Sequence, residues 1–490
     1  MKQPIVFFIF FLTFFSYSQS KILKTTEGAS LVNSGVMIDT DNSANGYYFF
    51  YEVDKVNKRE REFAIKILDQ NLNEVINKSF VEDRNSYLMQ VKYNKQQLMF
   101  VMYNSKDFKF IFYSLDKDGN LNKVSEYEEG IKNYVYRSKS TVPTFSFYPI
   151  ANKGFLLFML YKNKKHGYKL KYISTNGGES WDYTSGKEQH EILQILNVDE
   201  KGIILQEVKK KRLLSGEYSA FIKILDPETG EAFFKKEYPQ EAEIPEAWNN
   251  VFISNEEVII IGEYWAEKER VFKDDSKGLF INKYNFEGNK TFNKRVSWQD
   301  NFEQTFNELN DESGRNYLFF HDFMTTENGH IYALAEQYRK TLRVGLGAQL
   351  TITDAYVLDF DKEFNLVDVI KFDKGKSRIK SSVVAANRHL LAMLLSREGG
   401  FDYEFTQTDK KKDRFYSLFL DYERLKGEKN KIAFKAIIYN DGKLTEDKIY
   451  LENDLVKTQV KAAKAGYVLL VDHDKKKKEV KLHLEKLNIE

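Results

Sequence analysis

A loose repeat governs what this chain can fold into. Seven times, an apolar alternating run ends in Asp or Asn, makes a turn and starts a second alternating run. The turns sit at Asp69 (IKILDQNLNEV), Asp116 (FYSLDKDGNLNKV), Asn176 (KLKYISTNGGESW), Asp226 (FIKILDPETGEAFF), Asn285 (INKYNFEGNKTF), Asp361 (YVLDFDKEFNLVDV) and Asp441 (AIIYNDGKLTEDKI). Asp, Asn and Gly belong there because they accept the φ > 0 and bent conformations of tight hairpins. The landmarks recur at intervals from 47 residues (Asp69 to Asp116) to 80 (Asp361 to Asp441). Repeats of that order signal arrays or propellers rather than a single layered core.

Ahead of each tail lies a second pair of runs: an apolar strand, a tight polar turn, then a strongly apolar strand. The second members read YYFFYEV (from Tyr47), LMFVMY (Leu98), FLLFMLY (Phe155), IILQEV (Ile203), VIIIGEYW (Val258), IYALAEQY (Ile331), LLAMLL (Leu390) and YVLLVDH (Tyr467). Four hairpin-linked strands per unit describe the blades of an all-β β-propeller, with seven to eight blades and eight favoured. The inner pair of each blade is expected to be apolar on both faces, and the outer strands to alternate with charge. The last unit is one strand short after KEVKLHLEKLN, whereas KILKTT from Lys21 is unassigned. The N-terminal strand is therefore expected to complete the final blade and remove the open sheet edges. A lipid-spanning barrel fits less well, because Lys and Glu occupy faces that would meet hydrocarbon.

The expected division is a signal peptide over 1–18 and one propeller domain over 19–490. Lys2 precedes an apolar run from Ile5 to Phe15 and then Ser16-Tyr17-Ser18, the pattern of a secretory leader cleaved after Ser18. That run is too short to span a bilayer as a helix. A periplasmic or secreted protein is expected, with no membrane span in the mature chain. There is no cysteine, which excludes disulfides, thiol nucleophiles and Cys-ligated metals. Lys+Arg number 74 against 72 Asp+Glu, so no basic surplus recruits nucleic acid. The runs Lys209–Arg212, Lys410–Lys412 and Lys475–Lys478 read as solvated hairpin tips.

One turn carries a family resemblance. Ser174-Thr175-Asn176-Gly177-Gly178-Glu179-Ser180-Trp181 resembles the Asp-box (BNR) repeat of sialidase-like β-propellers. The resemblance implies a turn between the third and fourth strands of a blade, with Asn176 bonding backbone amides and Trp181 packing into the blade. The box lies away from that family's active site, so it implies blades and not catalysis. The Arg-Ile-Pro segment of sialidases is missing; the nearest string, Glu243-Ile244-Pro245, lacks a guanidinium to clamp a carboxylate.

Connections between second and third strands, and between blades, should emerge on one face. Here they include the long segments 54–61, 209–218, 266–277, 339–353 and 396–414, and long loops on a rigid scaffold carry binding groups. A short helix over DNFEQTFNELNDES, with Phe302, Phe306 and Leu309 at helical spacing, would add to that face. Candidate ligand-binding residues at the ends of the second strands are Glu263, Tyr264, Trp265, Glu336, Tyr338 and Arg397, with Asp472 and His473 beside them. Aromatic planes next to carboxylates suit a glycan or a peptide anchor. His321 and Asp322 would need a β-bulge to serve one centre, since neighbours on a strand face opposite ways. No catalytic residue, metal or cofactor is assigned. The expected function is a monomeric exported binding module for a protein or polysaccharide partner. The alternatives are a carbohydrate-active enzyme using Glu263 and Glu336, and a structural envelope component.

Overall fold

The computed structural model describes residues 19–24, 29–38, 43–128, 145–162, 165–185, 188–212, 218–238, 244–254, 256–269, 271, 274, 276–300, 317–343, 347–381, 388–397, 399–423, 431–451, 458–474 and 479–489. The leader over 1–18, Thr25 and Thr26, and the helix expected around Phe302, Phe306 and Leu309 lie outside them. Among the described residues no helix is long and apolar enough to cross a membrane.

The strands form eight antiparallel sheets as a β-propeller, seven built from four consecutive strands and the eighth closed by the first strand of the chain. Blades 1 to 4 begin at Ser30, Ser86, Phe145 and His190, and blades 5 to 8 at Glu246, Tyr317, Tyr403 and Thr458. Blade 8 has strands Thr458–Ala462, Tyr467–Asp474 and Glu479–Lys486, and its fourth place is taken by Gln19–Lys24. That strand pairs antiparallel with Glu479–Lys486, Gln19 facing Leu484 and Lys24 facing Glu479. Leu23 is buried in the core that holds Leu482 and Leu484 and reaches Tyr47 and Phe49 of blade 1. The ring is thus latched where the two chain ends meet.

Burial refines the expected pattern. The second and third strands fill the seams between blades: Leu98–Asn104 is buried throughout, and Lys109–Leu115 all but its first residue. The first strands are half-buried instead, as in Ser30–Ile38, because they line the ring axis, where each is the edge strand of its sheet. Six of them carry a register shift against the second strand, which leaves Val32, Met89, Leu196, Asn249, His321 and Glu404 without a strand partner. Such bulges bend the strand and re-aim its side chains.

All seven landmarks do lie on turns between third and fourth strands. In three of them an Asp and an Asn four residues on lock the turn. Asp116 Oδ1 accepts the amides of Asp118 and Asn120, and Oδ2 accepts the Asn120 side chain at 2.9 Å. Asp69 with Asn73 and Asp361 with Asn365 repeat this. The residue before the Asn has positive φ: Gly119 at 79°, but Leu72 at 66° and Phe364 at 58°. The two apolar residues occupy the left-handed region because their side chains are buried, Phe364 stacking on Phe360. In the turn after Ser174, Asn176 Oδ1 accepts the Gly178 amide at 3.2 Å and the Ser174 hydroxyl at 2.8 Å. Trp181 lies over Tyr172 and donates to the Pro227 carbonyl of blade 4.

One expected strand is not a strand. Leu390–Leu395 falls in a helix, Arg388–Arg397. The second strand of blade 7 is Arg414–Glu423, and its first, Tyr403–Asp409, lies inside the segment expected to be the loop 396–414. An unbroken apolar run of six does not distinguish strand from helix. The segment 339–353 is also largely strand: blade 6 extends its second and third strands to Ile331–Arg343 and Gly347–Phe360, and Ser377–Ser381 pairs with the extension. Leu391, Ala392 and Leu395 of the helix pack on this extension through Tyr338, Leu350 and Ile352.

Two predictions follow from the latch and the turns. Leu23→Ala should cost about 2–5 kcal/mol of unfolding free energy by denaturant titration, while Ile22→Ala, half-exposed on the same strand, should change it by under about 0.5 kcal/mol. Donors from Asn120 hold the Asp116 carboxyl below its usual range, and at Asp69 and Asp361 the Asn donors outweigh the opposing effect of burial. A depressed carboxyl stabilises the fold above its unfolded pKa of about 4 and loses that contribution as pH falls through the lower folded value. Melting temperature should therefore fall from pH 5 to pH 3, and a triple Asp69→Asn, Asp116→Asn, Asp361→Asn variant should show a flatter acid limb.

Candidate functional site

Carboxylates recur late in the second strands, where the chain leaves the packed seam for the long-connection face. Each is bonded within the protein. Glu52 meets Arg61 at 2.8 Å; Glu207 meets Lys223 and accepts the Tyr168 hydroxyl at 2.7 Å. Glu263 accepts the Ser276 hydroxyl at 2.7 Å, and Glu336 meets Lys374 at 2.9 Å. Asp421 accepts the Gly375 amide, and Asp472 the Thr458 hydroxyl. The sequence signal is an acidic residue near the end of the second strand in six of the eight blades, in YEV, QEV, GEY, AEQ, LDY and VDH. Buried charges persist where they are paired, and these pairings bind the second strands to their neighbours.

The expected site residues divide accordingly. Glu263 is buried, and so is Trp265, whose Nε1 donates to the Asp274 carbonyl at 3.0 Å. Trp265 therefore holds the 266–277 connection down and offers no stacking plane. Tyr264 is half-buried with Arg295 over its ring. Tyr338 is buried among Tyr317, Phe319 and Phe401. Burial and then the Glu263 charge push its hydroxyl far up. Arg397 ends the helix rather than a second strand, and its side chain lies outside the described residues.

Glu336 is the centre of a buried network at the junction of blades 6 and 7. Besides Lys374, its carboxylate lies 2.9 Å from His321 Nε2 and accepts the Tyr403 amide at 3.0 Å. Lys374 also contacts Asp402, which accepts the Ser377 hydroxyl. Burial raises the Glu336 carboxyl, but His321 and Lys374 together outweigh it and leave it below the usual range. Lys374 is raised by its two acids against the effect of burial, so the charged pair is the resting state. Lys374 and Asp402 flank the inserted strand and helix, and Glu336 sits on the strand beneath them: the network is a clasp at the root of the insertion. His321 stacks on Tyr403 at 4.7 Å, and the bulge at His321 does put Asp322 within reach of the Tyr403 hydroxyl. Among the described residues no cluster of three or more His, Asp and Glu could hold a metal.

Solvent-facing chemistry lies instead on the first strands. Glu404, the bulged residue of blade 7, faces solvent along the axis, yet protein crowding it raises its carboxyl, as does Asp402, against the pull of Lys461. Lys461 of blade 8 is pushed down by burial against the pull of Glu404, and it bonds the Ser34 carbonyl of blade 1. Lys92 of blade 2 is also pushed down by burial. Asn249, the bulged residue of blade 5, is exposed and reaches Glu263 at 3.4 Å. These residues give the axis a mixed polar lining with both charge signs. Sequence reasoning missed them because first strands alternate weakly, and YEFTQTD was hidden in an expected loop.

A family model described as "Family of unknown function (DUF6770)" matches residues 1–488. The chain belongs to that family. No curated protein matches this DUF6770 chain. Among solved structures it is similar to the WD40 domain of SCAP from fission yeast, at 8% identity and a TM-score of 0.39, covering 95% of this chain and 98% of that one. It is also similar to prolyl oligopeptidase B from Galerina marginata, at 9% identity and a TM-score of 0.40, covering 90% of this chain and 55% of the peptidase. Likenesses so distant carry nothing about ligands or chemistry.

The clasp generates a prediction of its own. Lys374→Met leaves Glu336 and Asp402 buried without their shared cation and should cost about 3–5 kcal/mol in urea unfolding. Adding Asp402→Asn to that variant should restore part of the loss, because one unpaired charge is removed.

Proposed function

We propose that this β-propeller is an exported, non-catalytic binding module that takes a protein or polysaccharide partner at the axis mouth on its long-connection face. The observation that carries the reading is the division of its acids. Glu263 and Glu336, the carboxylates best placed in the sequence to be an acid–base pair, are buried in contacts within the protein, while the groups facing solvent form a mixed polar lining around Glu404, Lys461 and Asn249. A lining with both charges and amide groups on a rigid ring suits recognition of a polar surface. Export rests on the leader pattern of Lys2 and Ile5–Phe15.

Partners recovered with the wild-type chain from envelope extract should bind the Glu404→Ala, Lys461→Ala double variant roughly tenfold or more weakly, with an unchanged melting temperature. Equal binding by wild type and variant would remove the axis mouth from consideration. Turnover of a polysaccharide by the wild type, abolished in Glu404→Gln, would replace binding with catalysis.

A further inference from the structure

Two histidines meet where blades 3 and 4 open onto the long-connection face. His166 begins the third strand of blade 3, His166–Ser174, and His190 begins the first strand of blade 4, His190–Val198. Both are half-buried, with ring centroids 5.1 Å apart. The His166 amide donates to His190 Nδ1 at 3.0 Å, and the two Nδ1 atoms are 3.1 Å apart. A neutral imidazole has one N–H and one bare nitrogen, whereas a charged one has two N–H groups. Because His190 Nδ1 accepts a backbone N–H, it carries no hydrogen, and its ring holds its own on Nε2. His166 Nδ1 faces the same lone pair, so the two rings bond only with a hydrogen on His166 Nδ1. One backbone amide thus fixes both tautomers.

The pair accommodates one extra proton but not two. A proton on His166 Nε2 leaves the contact intact and makes its Nδ1–H a stronger donor. A proton on His190 Nδ1 sets that nitrogen against two N–H donors at hydrogen-bond distance and removes the acceptor both of them use. Several charges surround the pair. In the ladders Lys162 stands opposite His166, and Lys210 opposite His190. Lys165 precedes His166 and reaches the Lys211 carbonyl, and Lys210 lies over the Tyr218 ring. On the other side Glu188 is exposed two residues before His190, and Glu191 meets Lys209 at 3.0 Å.

We propose that His166 and His190 form a proton-operated fastener between blades 3 and 4, closed while His190 is neutral and open once mild acid charges it. Imidazole is the side chain whose ordinary charge change, near about pH 6.5, falls in that range. His190 is the first residue of an axis-lining strand, so opening frees the start of that strand from the neighbouring blade on the face where the long connections emerge. The fastener works whatever partner the axis mouth takes, and its test involves no partner.

NMR of the histidine-labelled full chain, with hydrogen exchange, tests the proposal. At about pH 7.5 the His190 ring should show a bare Nδ1 and a hydrogen on Nε2; a hydrogen on Nδ1 under those conditions overturns the proposal without any variant. From about pH 7.5 to about pH 5, protection of the His166 amide, corrected for the intrinsic exchange rate, should fall roughly tenfold. The amide of buried Val101 should keep its protection over the same range. His190→Asn places a side-chain oxygen that does not titrate where Nδ1 sits, and its His166 amide should be equally protected at both pH values. Undiminished protection of the wild-type His166 amide in acid overturns the proposal. An equal loss in wild type and His190→Asn also overturns it, since the charge on His190 would then not be what opens the contact.

Discussion

The ring stands on one strand pairing. Gln19–Lys24 lies against Glu479–Lys486 in unbroken register, and among the described residues no other sheet ladder joins the last blade to the beginning of the chain. Without it blade 8 would be a three-stranded sheet with a bare edge, and the cluster shared by Leu23, Leu482 and Tyr47 would open to water. With no cysteine to cross-link the ends, closure depends on burial and ladder hydrogen bonds alone.

Around that latch the same local solutions recur with variation. Tight turns are held by acidic side chains bonded to the backbone, and the inner ends of the blades are bulged so that single residues aim at the axis. Where the second strands emerge, acids tie neighbouring elements together. Blade 6 elaborates the pattern most. There the recurring carboxylate, Glu336, acquires a lysine and a second acid because an inserted strand and helix must be anchored over the seam.

The architecture was legible because its signals are local and repeated. Asp69, Asp116 and Asp361 mark turns wherever they occur, and seven of the eight apolar runs are second strands in the structure. Leu390–Leu395 misled because an apolar run without alternation fits a helix packed on a sheet equally well. The site was less legible. Trp265 and Tyr338 looked like rim aromatics, but aromatic rings at strand ends also fill the space under long connections, and only the contacts with Asp274, Phe319 and Phe401 distinguish the two uses. Glu404 and Lys461 sit on short, mixed strands whose position depends on the whole ring, information that no local window holds.

The latch also sets a temporal order. Its two strands are drawn from opposite ends of the sequence, so in synthesis the first segment made must wait for the last one before it can pair. During that wait Glu479–Lys486 is an open edge that a strand from another molecule could occupy. Its outward positions carry Glu479, Lys481, His483 and Glu485 between the buried Val480, Leu482 and Leu484, and charges so placed discourage foreign strands from docking. The interval before the ring shuts, rather than the finished toroid, is where this chain is most exposed to misassembly.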